Sequence, residues 1–299
     1  MKVLICDATD PKALKLIEEA GIEVVNQPDI TPEELIRVIP DYPCMVVRSR
    51  TKVTKEVIDA GTGLKAIVRA GVGLDNIDVA YAKEKGVLVL NTPSASTQSV
   101  AELTIAYMMA LARNIPLMTA SMKAGKWDKK KFVGVEVSGK TLGLIGSGRI
   151  GKAVADRASA LGMDVIAYDP YVTELPGVRL VDLDGLFSEA DYISLHVPHT
   201  DETHNILDAD AFEKMKSGVK IINCGRGGTI DEDALANAIE NGKVAGAALD
   251  VFADEPLSDS RLFTLDQVIG SPHVGAGTAE AKERVGQVAA QKVIETLKG

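Results

Sequence analysis

The feature that most constrains this chain is a rhythm. Short apolar runs alternate with amphipathic stretches almost from end to end. KVLIC at 2–6, EVV at 23–25, MVV at 45–47, AIV at 66–68 and VLVL at 87–90 show no apolar–polar alternation. Strands solvated on one face alternate; strands that are apolar throughout are covered on both faces, as in a parallel sheet flanked by helices. Between them, 11–20, 32–39 and 54–60 read as helices. The second opens on Thr31-Pro32-Glu33-Glu34, an N-cap, a proline at the first helical position and acids in the first turn. Six further runs, TLGLIG, DVIAYD, YISLHV, KIINC, AGAALDV and QVIGSP, repeat the rhythm from residue 141 on. At 299 residues the chain exceeds one ordinary core, so two α/β domains with parallel sheets are expected.

Between the two series lies one long apolar helix, 96–113, followed by a polar, basic stretch, 123–131, that holds the only tryptophan, Trp127, and reads as an arm or linker. A helix apolar on most of its surface calls for a cover, so a homodimer is expected. In it Lys129, Lys130 and Lys131 could approach the partner's anionic site or simply form a solvated face. An amphipathic helix at 278–297 ends the sequence.

The net charge of −9 argues against nucleic acid and against an anionic membrane surface as partners. An anionic substrate would have to be gathered by a local basic site. The three cysteines, Cys6, Cys44 and Cys224, have no CxxC spacing and suggest neither a disulfide framework nor a zinc site. No metal is expected. The N-terminus has no secretory h-region and no stretch of about 18 apolar residues exists, so a cytoplasmic protein is expected.

Gly146-Ser147-Gly148-Arg149-Ile150-Gly151 follows the run TLGLI and opens a helix. In that context Gly146 permits a tight turn, Gly148 lets the backbone approach a pyrophosphate, and Gly151 lets the helix pack close to the sheet. The pyrophosphate would rest on the helix N-terminus. The next run ends at Asp169, 23 residues after Gly146. A carboxylate there accepts bonds from the adenosine ribose and repels a 2′-phosphate, and no arginine follows; NAD rather than NADP is expected.

Three polar residues end later apolar runs: Arg226 in NCGRGG, Glu255 in DEP and His273 in SPHVG. In open parallel sheets the carboxyl ends of strands line the ligand crevice. Oxidation of a 2-hydroxy acid needs a guanidinium for the carboxylate, an imidazole for the hydroxyl proton and a carboxylate to orient that imidazole. Taken singly each residue has a bland reading, as a loop charge, a turn residue or a structural histidine. Together, beside the glycine fingerprint, they read as a catalytic set. His196 also ends a run but lies nearer the cofactor strands and is placed in the wall of the cofactor pocket. His199 and His204 read as surface residues.

At this point the chain resembles the D-isomer-specific 2-hydroxyacid dehydrogenases over nearly its whole length. The resemblance rests on GLIGSGRIGKAVADRASALGMDVIAYDP, on LHVPHT with MKSGVKIINCGRGGTIDEDAL, and on AALDVFADEP with SPHVGAGT. It implies Arg226, Glu255 and His273 as the catalytic trio. It implies Gly146, Gly148, Asp169, Val197, Cys224 and Asp250 in the cofactor site, Asp250 near the nicotinamide amide. Arg149, Ile150, Gly151, Pro198, Gly225 and Gly275 belong to the same motifs and are placed there too, as is Thr203 shortly after LHVPHT. The implied fold is a Rossmann-type cofactor domain, 96–279, inserted into a flavodoxin-like parallel-sheet substrate domain, 1–95 with 280–299. MVVRSRTKVT, AIVRAGVGLDNIDVAYAKEKGVLVLNTP, SVAELTIAYMMALAR and TASMKAGKWDKKKF are similar to members that act on 3-phosphoglycerate. By that likeness Arg48 and Arg69 would hold a substrate phosphate, backbone N–H groups of Val72 and Gly73 would meet the carboxylate, and Asn76 would line the site. Some such members carry a serine-binding C-terminal domain; here only Lys298 and Gly299 follow the last helix, and none is expected. Reductases of hydroxypyruvate or glyoxylate need no phosphate-binding arginines and form the alternative within the family. An NAD-binding co-regulator acting through protein partners is the alternative of another class.

Overall fold

The structure, a computed structural model, describes residues 1–299. The chain forms two compact units, Met1–Thr97 with Ala276–Gly299 as unit 1, and Gln98–Gly275 as unit 2.

Unit 1 is a five-stranded sheet. β1 (Lys2–Ile5), β2 (Glu23–Asn26), β3 (Cys44–Val47), β4 (Ala66–Arg69) and β5 (Leu88–Asn91) lie in the order β2-β1-β3-β4-β5, every pair parallel. That is the flavodoxin-like order. α1 (Pro11–Glu19), α2 (Pro32–Val38), α3 (Lys55–Ala60), α4 (Val79–Glu84) and the C-terminal helix Ala279–Lys298 cover it. The sheet is buried on both sides. Val3, Ile5, Val46 and Val68 pack with Ile17, Val285 and Val293, while Leu4, Met45, Val47 and Ile67 pack with Leu35, Val57 and Ile58. This is why its strands carry no polar alternation. Thr31 caps α2 reciprocally: its Oγ1 accepts from Glu34 N, and Thr31 N donates to the Glu34 carboxylate.

Unit 2 opens on α5 (Thr97–Arg113) and α6 (Ile115–Lys123). A seven-stranded parallel sheet follows, built from β6 (Thr141–Ile145), β7 (Asp164–Tyr168), β8 (Arg179–Leu180), β9 (Tyr192–Leu195), β10 (Val219–Asn223), β11 (Val244–Leu249) and β12 (Val268–Gly270). Its order is β12-β11-β10-β9-β6-β7-β8. The order reverses between β6 and β9, the topological switch point where ligands of doubly wound sheets bind. Around it stand α7 (Arg149–Ala160), α8 (Leu183–Glu189), α9 (Ala209–Lys214) and α10 (Glu232–Glu240), the last three capped by Asp182, Asp208 and Asp231.

The apolar side of α5 is largely internal: Val100, Ala101, Met108, Leu111 and Ala112 join the core with Leu142, Leu144 and Val154. The exposed apolar side chains lie just beyond it, at Ile115, Met122, Trp127, Val133 and Val135. The expectation that α5 itself needs an outside cover therefore moves to α6 and the segment after it. No helix is long and apolar enough to cross a membrane.

Candidate active site

At the switch point the chain leaves β6 through Gly146 at φ +94°, a left-handed value that glycine adopts without strain. Gly146 N donates to Tyr168 O of β7 at 2.8 Å, and His196 N after β9 donates to Ile145 O at 2.7 Å. The turn is thus pinned to both neighbours. Gly151, in the first turn of α7, is equally confined: a Cβ there would stand 2.3 Å from Gly146 O. Gly148, the N-cap of α7, faces open space. Its backbone is bare where an anion would approach the free N–H groups of the helix start, so the turn fits a dinucleotide pyrophosphate. Arg149 is exposed and Ile150 packs on the core.

Asp169 caps this turn. Its Oδ2 accepts from Ser147 N and Oγ at 2.8 and 3.0 Å, and its Oδ1 accepts from Tyr171 N at 3.0 Å. Oδ1 keeps a lone pair for a further donor, such as a ribose hydroxyl. Val197 packs on Gly146, and Thr203 Oγ1 donates to Pro198 O at 2.6 Å, closing the loop after β9. His196 places Nε2 2.9 Å from Ser194 Oγ and leaves Nδ1 buried without a partner. Burial pulls its imidazole down to about 4, so the ring is neutral at pH 7. Burial likewise pushes the Cys224 thiol up to about 12, which keeps it protonated and unreactive at pH 7.

Arg226, Glu255 and His273 follow β10, β11 and β12, three adjacent strands. His273 Nδ1 and Glu255 Oε2 are 2.6 Å apart. A carboxylate on Nδ1 fixes the proton there and leaves the Nε2 lone pair free to accept another. Glu255 is steadied by Phe252 N, which donates to its Oε1 at 3.1 Å, and Ala253 N donates to Glu232 at 2.8 Å. The Arg226 loop abuts the same segment. A Cβ on Gly227 would lie 1.7 Å from Phe252 O, so only glycine fits. Asn223 shapes that loop from below, donating to Arg226 O at 2.9 Å and accepting from Gly225 N at 3.0 Å. The Arg226 side chain donates to Gly225 O at 2.7 Å.

His273 sits at φ +51°, a region costing a non-glycine residue on the order of 1–3 kcal/mol. Asp250 holds it there. Asp250 O accepts from His273 N at 2.9 Å, Oδ1 from Val274 N at 2.8 Å and Oδ2 from Gly275 N at 2.7 Å. Asp250 is 1% exposed. Placed by its motif in the cofactor site, it also carries the backbone of His273.

In unit 1, Arg48 follows β3 and Arg69 ends β4. Arg69 Nε donates to Arg48 O at 3.2 Å, and Asn76 Nδ2 donates to Arg48 O and Thr51 O at 3.0 and 2.7 Å. Asn91 Nδ2 donates to Val72 O at 2.6 Å, beside Gly73. Buried Asp7 accepts from Arg48 N, Thr51 N and Thr51 Oγ1. Asp7, Asn223, Ser147, Tyr107 and Ser271 were not foreseen from the sequence. Each is an ordinary polar residue in an apolar or turn context, and only the fold gives it a partner.

A doubly wound sheet with a glycine turn at its switch point and a histidine–carboxylate pair at neighbouring strand ends defines a dinucleotide-binding domain of the dehydrogenase type. Residues 105–275 match the D-isomer specific 2-hydroxyacid dehydrogenase, NAD binding domain. The chain belongs to that family, and unit 2 carries its NAD-binding domain. It is 51% identical to D-3-phosphoglycerate dehydrogenase of Methanocaldococcus jannaschii, across all of this chain and 58% of that protein. It is also 51% identical to hydroxypyruvate reductase of Thermotoga maritima, across 99% of this chain and 98% of that one. The D-lactate dehydrogenase of Aquifex aeolicus, solved with NAD and lactic acid, superposes with a TM-score of 0.87 at 31% identity, covering all of this chain and 96% of the other. The chain thus spans little more than half of one curated relative and nearly all of another.

Proposed function

We propose that the protein is an NAD-dependent dehydrogenase that oxidises D-3-phosphoglycerate to 3-phosphohydroxypyruvate. The observation that carries the reading is the 2.6 Å contact between His273 Nδ1 and Glu255 Oε2, on a backbone fixed by Asp250. Nε2 of His273 takes the C2 hydroxyl proton, and Glu255 stabilises the imidazolium that forms. Arg226 holds the substrate carboxylate. NAD, when bound, accepts the C2 hydride; the Gly146–Gly151 turn and Asp169 would hold its pyrophosphate and ribose, and Val197, Cys224 and Asp250 would line its nicotinamide end. Unit 1 serves as the substrate domain, with Arg48 and Arg69 on the phosphate, Val72 and Gly73 offering N–H groups and Asn76 beside them. The likeness to the Methanocaldococcus enzyme supports this assignment.

Reduction of hydroxypyruvate is the second reading, favoured by the Thermotoga relative of matching length. We further propose a homodimer that covers the apolar stretch after α5, in the cytoplasm. NADH formation across phosphorylated and plain 2-hydroxy acids, with hydroxypyruvate tested in the reverse direction, separates the readings. A kcat/KM for 3-phosphoglycerate below that for plain acids would remove the first.

A further inference from the structure

The carboxylate of Asp250 has a third donor besides the two backbone N–H groups after His273. Ser271 Oγ donates to Oδ1, and the Tyr107 hydroxyl in turn meets Ser271 Oγ. A serine hydroxyl has one proton. If that proton goes to the carboxylate, the bond from the other side must be donated by the phenol. Burial above all, with a smaller push from the nearby charge of Asp250, raises the Tyr107 phenol to about 12 despite the lowering by its bond to Ser271, which keeps its proton in place. Donation therefore runs one way, from Tyr107 to Ser271 to Asp250.

The order matters because of where the chain ends. Asp250 Oδ1 takes Ser271 Oγ and Val274 N together, and Asp250 O takes His273 N. Ser271 N itself donates to Leu249 O at 3.0 Å, and Ser271 O accepts from His273 N at 3.0 Å. The residues from Ser271 to Gly275 thus form one short arch around a single carboxylate, with His273 at its exposed crown in a strained conformation. No lysine or arginine supports that carboxylate among its bonds; its orientation rests on two backbone N–H groups and one hydroxyl. The hydroxyl is the only one of the three that can rotate away, and Tyr107, rooted in α5, is what stops it.

We infer that Tyr107 is a positioning residue for the acid–base pair, acting through Ser271 and Asp250 to hold His273 Nδ1 on Glu255. The inference rests on the reading of His273 as the base, and it adds a residue from a different helix to that reading. Without the phenol hydroxyl, Ser271 has other rotamers open to it, Oδ1 loses a fixed donor, and the arch samples orientations in which Nδ1 and Glu255 no longer align.

The test is Tyr107→Phe, which keeps the ring that packs in the core and removes only the hydroxyl. We expect kcat to fall roughly 5- to 20-fold, the scale of one lost hydrogen bond in an oriented pair. KM for the hydroxy acid and the dissociation constant of NAD should stay within about two-fold, since an interaction acting on the chemical step alone leaves ground-state binding in place. Ser271→Ala should behave alike. In the protein without cofactor, ¹⁵N-histidine spectra should show the Nδ1–H signal of His273, assigned by its loss in His273→Ala, broadened by exchange in Tyr107→Phe. On a Glu255→Gln background Tyr107→Phe should cost little more, because residues acting through one contact are non-additive. A rate loss that adds fully to Glu255→Gln, or that appears in KM, in NAD affinity or as a large drop in Tm, overturns the inference. So does an unchanged rate and an unchanged Nδ1–H signal. If His273→Ala itself keeps wild-type turnover, it is the base assignment that has failed, whatever Tyr107→Phe does.

Discussion

Asp169 Oδ2 accepts two bonds from Ser147, one from its backbone N–H and one from its hydroxyl, so the residue expected to read the ribose also ties down the glycine turn that would receive the pyrophosphate. One carboxylate couples the two halves of the dinucleotide site. Its negative charge, with only Tyr171 N on the other oxygen, is where a 2′-phosphate would have to sit.

NAD should therefore be preferred to NADP. Steady-state kcat/KM with each dinucleotide checks this, and comparable values would sink the reading. Asp169→Ala should weaken both cofactors, because the Ser147 turn loses its cap as well as its charge.

His273→Ala should lower kcat by about 10²- to 10⁴-fold, the range of general acid–base contributions. NAD affinity by fluorescence titration should stay near the parent value. Wild-type turnover in the variant would mean that another group moves the proton.

Arg48→Ala and Arg69→Ala should raise KM for 3-phosphoglycerate far more than for an unphosphorylated acid, since a dianion gains charge-assisted bonds from each. The bond from Arg69 Nε to Arg48 O gives the alternative a concrete form. Equal effects on both substrates would show that Arg69 serves only to brace the strand end.

Light scattering at micromolar concentration should report a dimer. Trp127 and Val133 are about 80% exposed, and a monomer would leave them in water. Trp127→Ser with Val133→Ser should shift the equilibrium toward monomer; a monomeric parent protein rejects the assembly.

His196 gives a pH signature. Its imidazole is lowered from 6.5 to about 4 by burial, so unfolding takes up a proton through that window. The folded value lies below the unfolded one. Stability from the neutral ring is therefore fully present above pH 6.5 and declines as pH falls toward 4. The difference in urea midpoint between the parent and His196→Gln should narrow or reverse across this range. A difference that does not vary with pH contradicts the assignment.

Much of this was legible in the sequence because parallel strands advertise themselves. KVLIC and KIINC are apolar on both faces because both faces are covered, and the polar residue that ends such a run stands out against it. Arg226, Glu255 and His273 were visible on that ground. β8 was not: Arg179–Leu180 is a two-residue edge with no apolar run to mark it. Tyr107 was not, because a tyrosine among Leu103, Ile105 and Met108 reads as core, and its partner lies 164 positions away. The cover sought for α5 was misplaced for a related reason. Composition shows that a helix is apolar but not whether its own domain already buries it.

Gly275 is packed so closely that a Cβ on it would lie 3.4 Å from Val100 and 2.9 Å from Asp250 Oδ2. The chain enters unit 2 at Gln98 and leaves it at Gly275, so entry and exit meet at one place. To unit 1 the whole insertion then resembles a short hairpin rather than a long excursion, and closing it carries little entropic cost. A module with its two ends side by side can be lifted out or exchanged as a cassette, and residues 98–275 joined to a solubilising tag are the piece with which to try it.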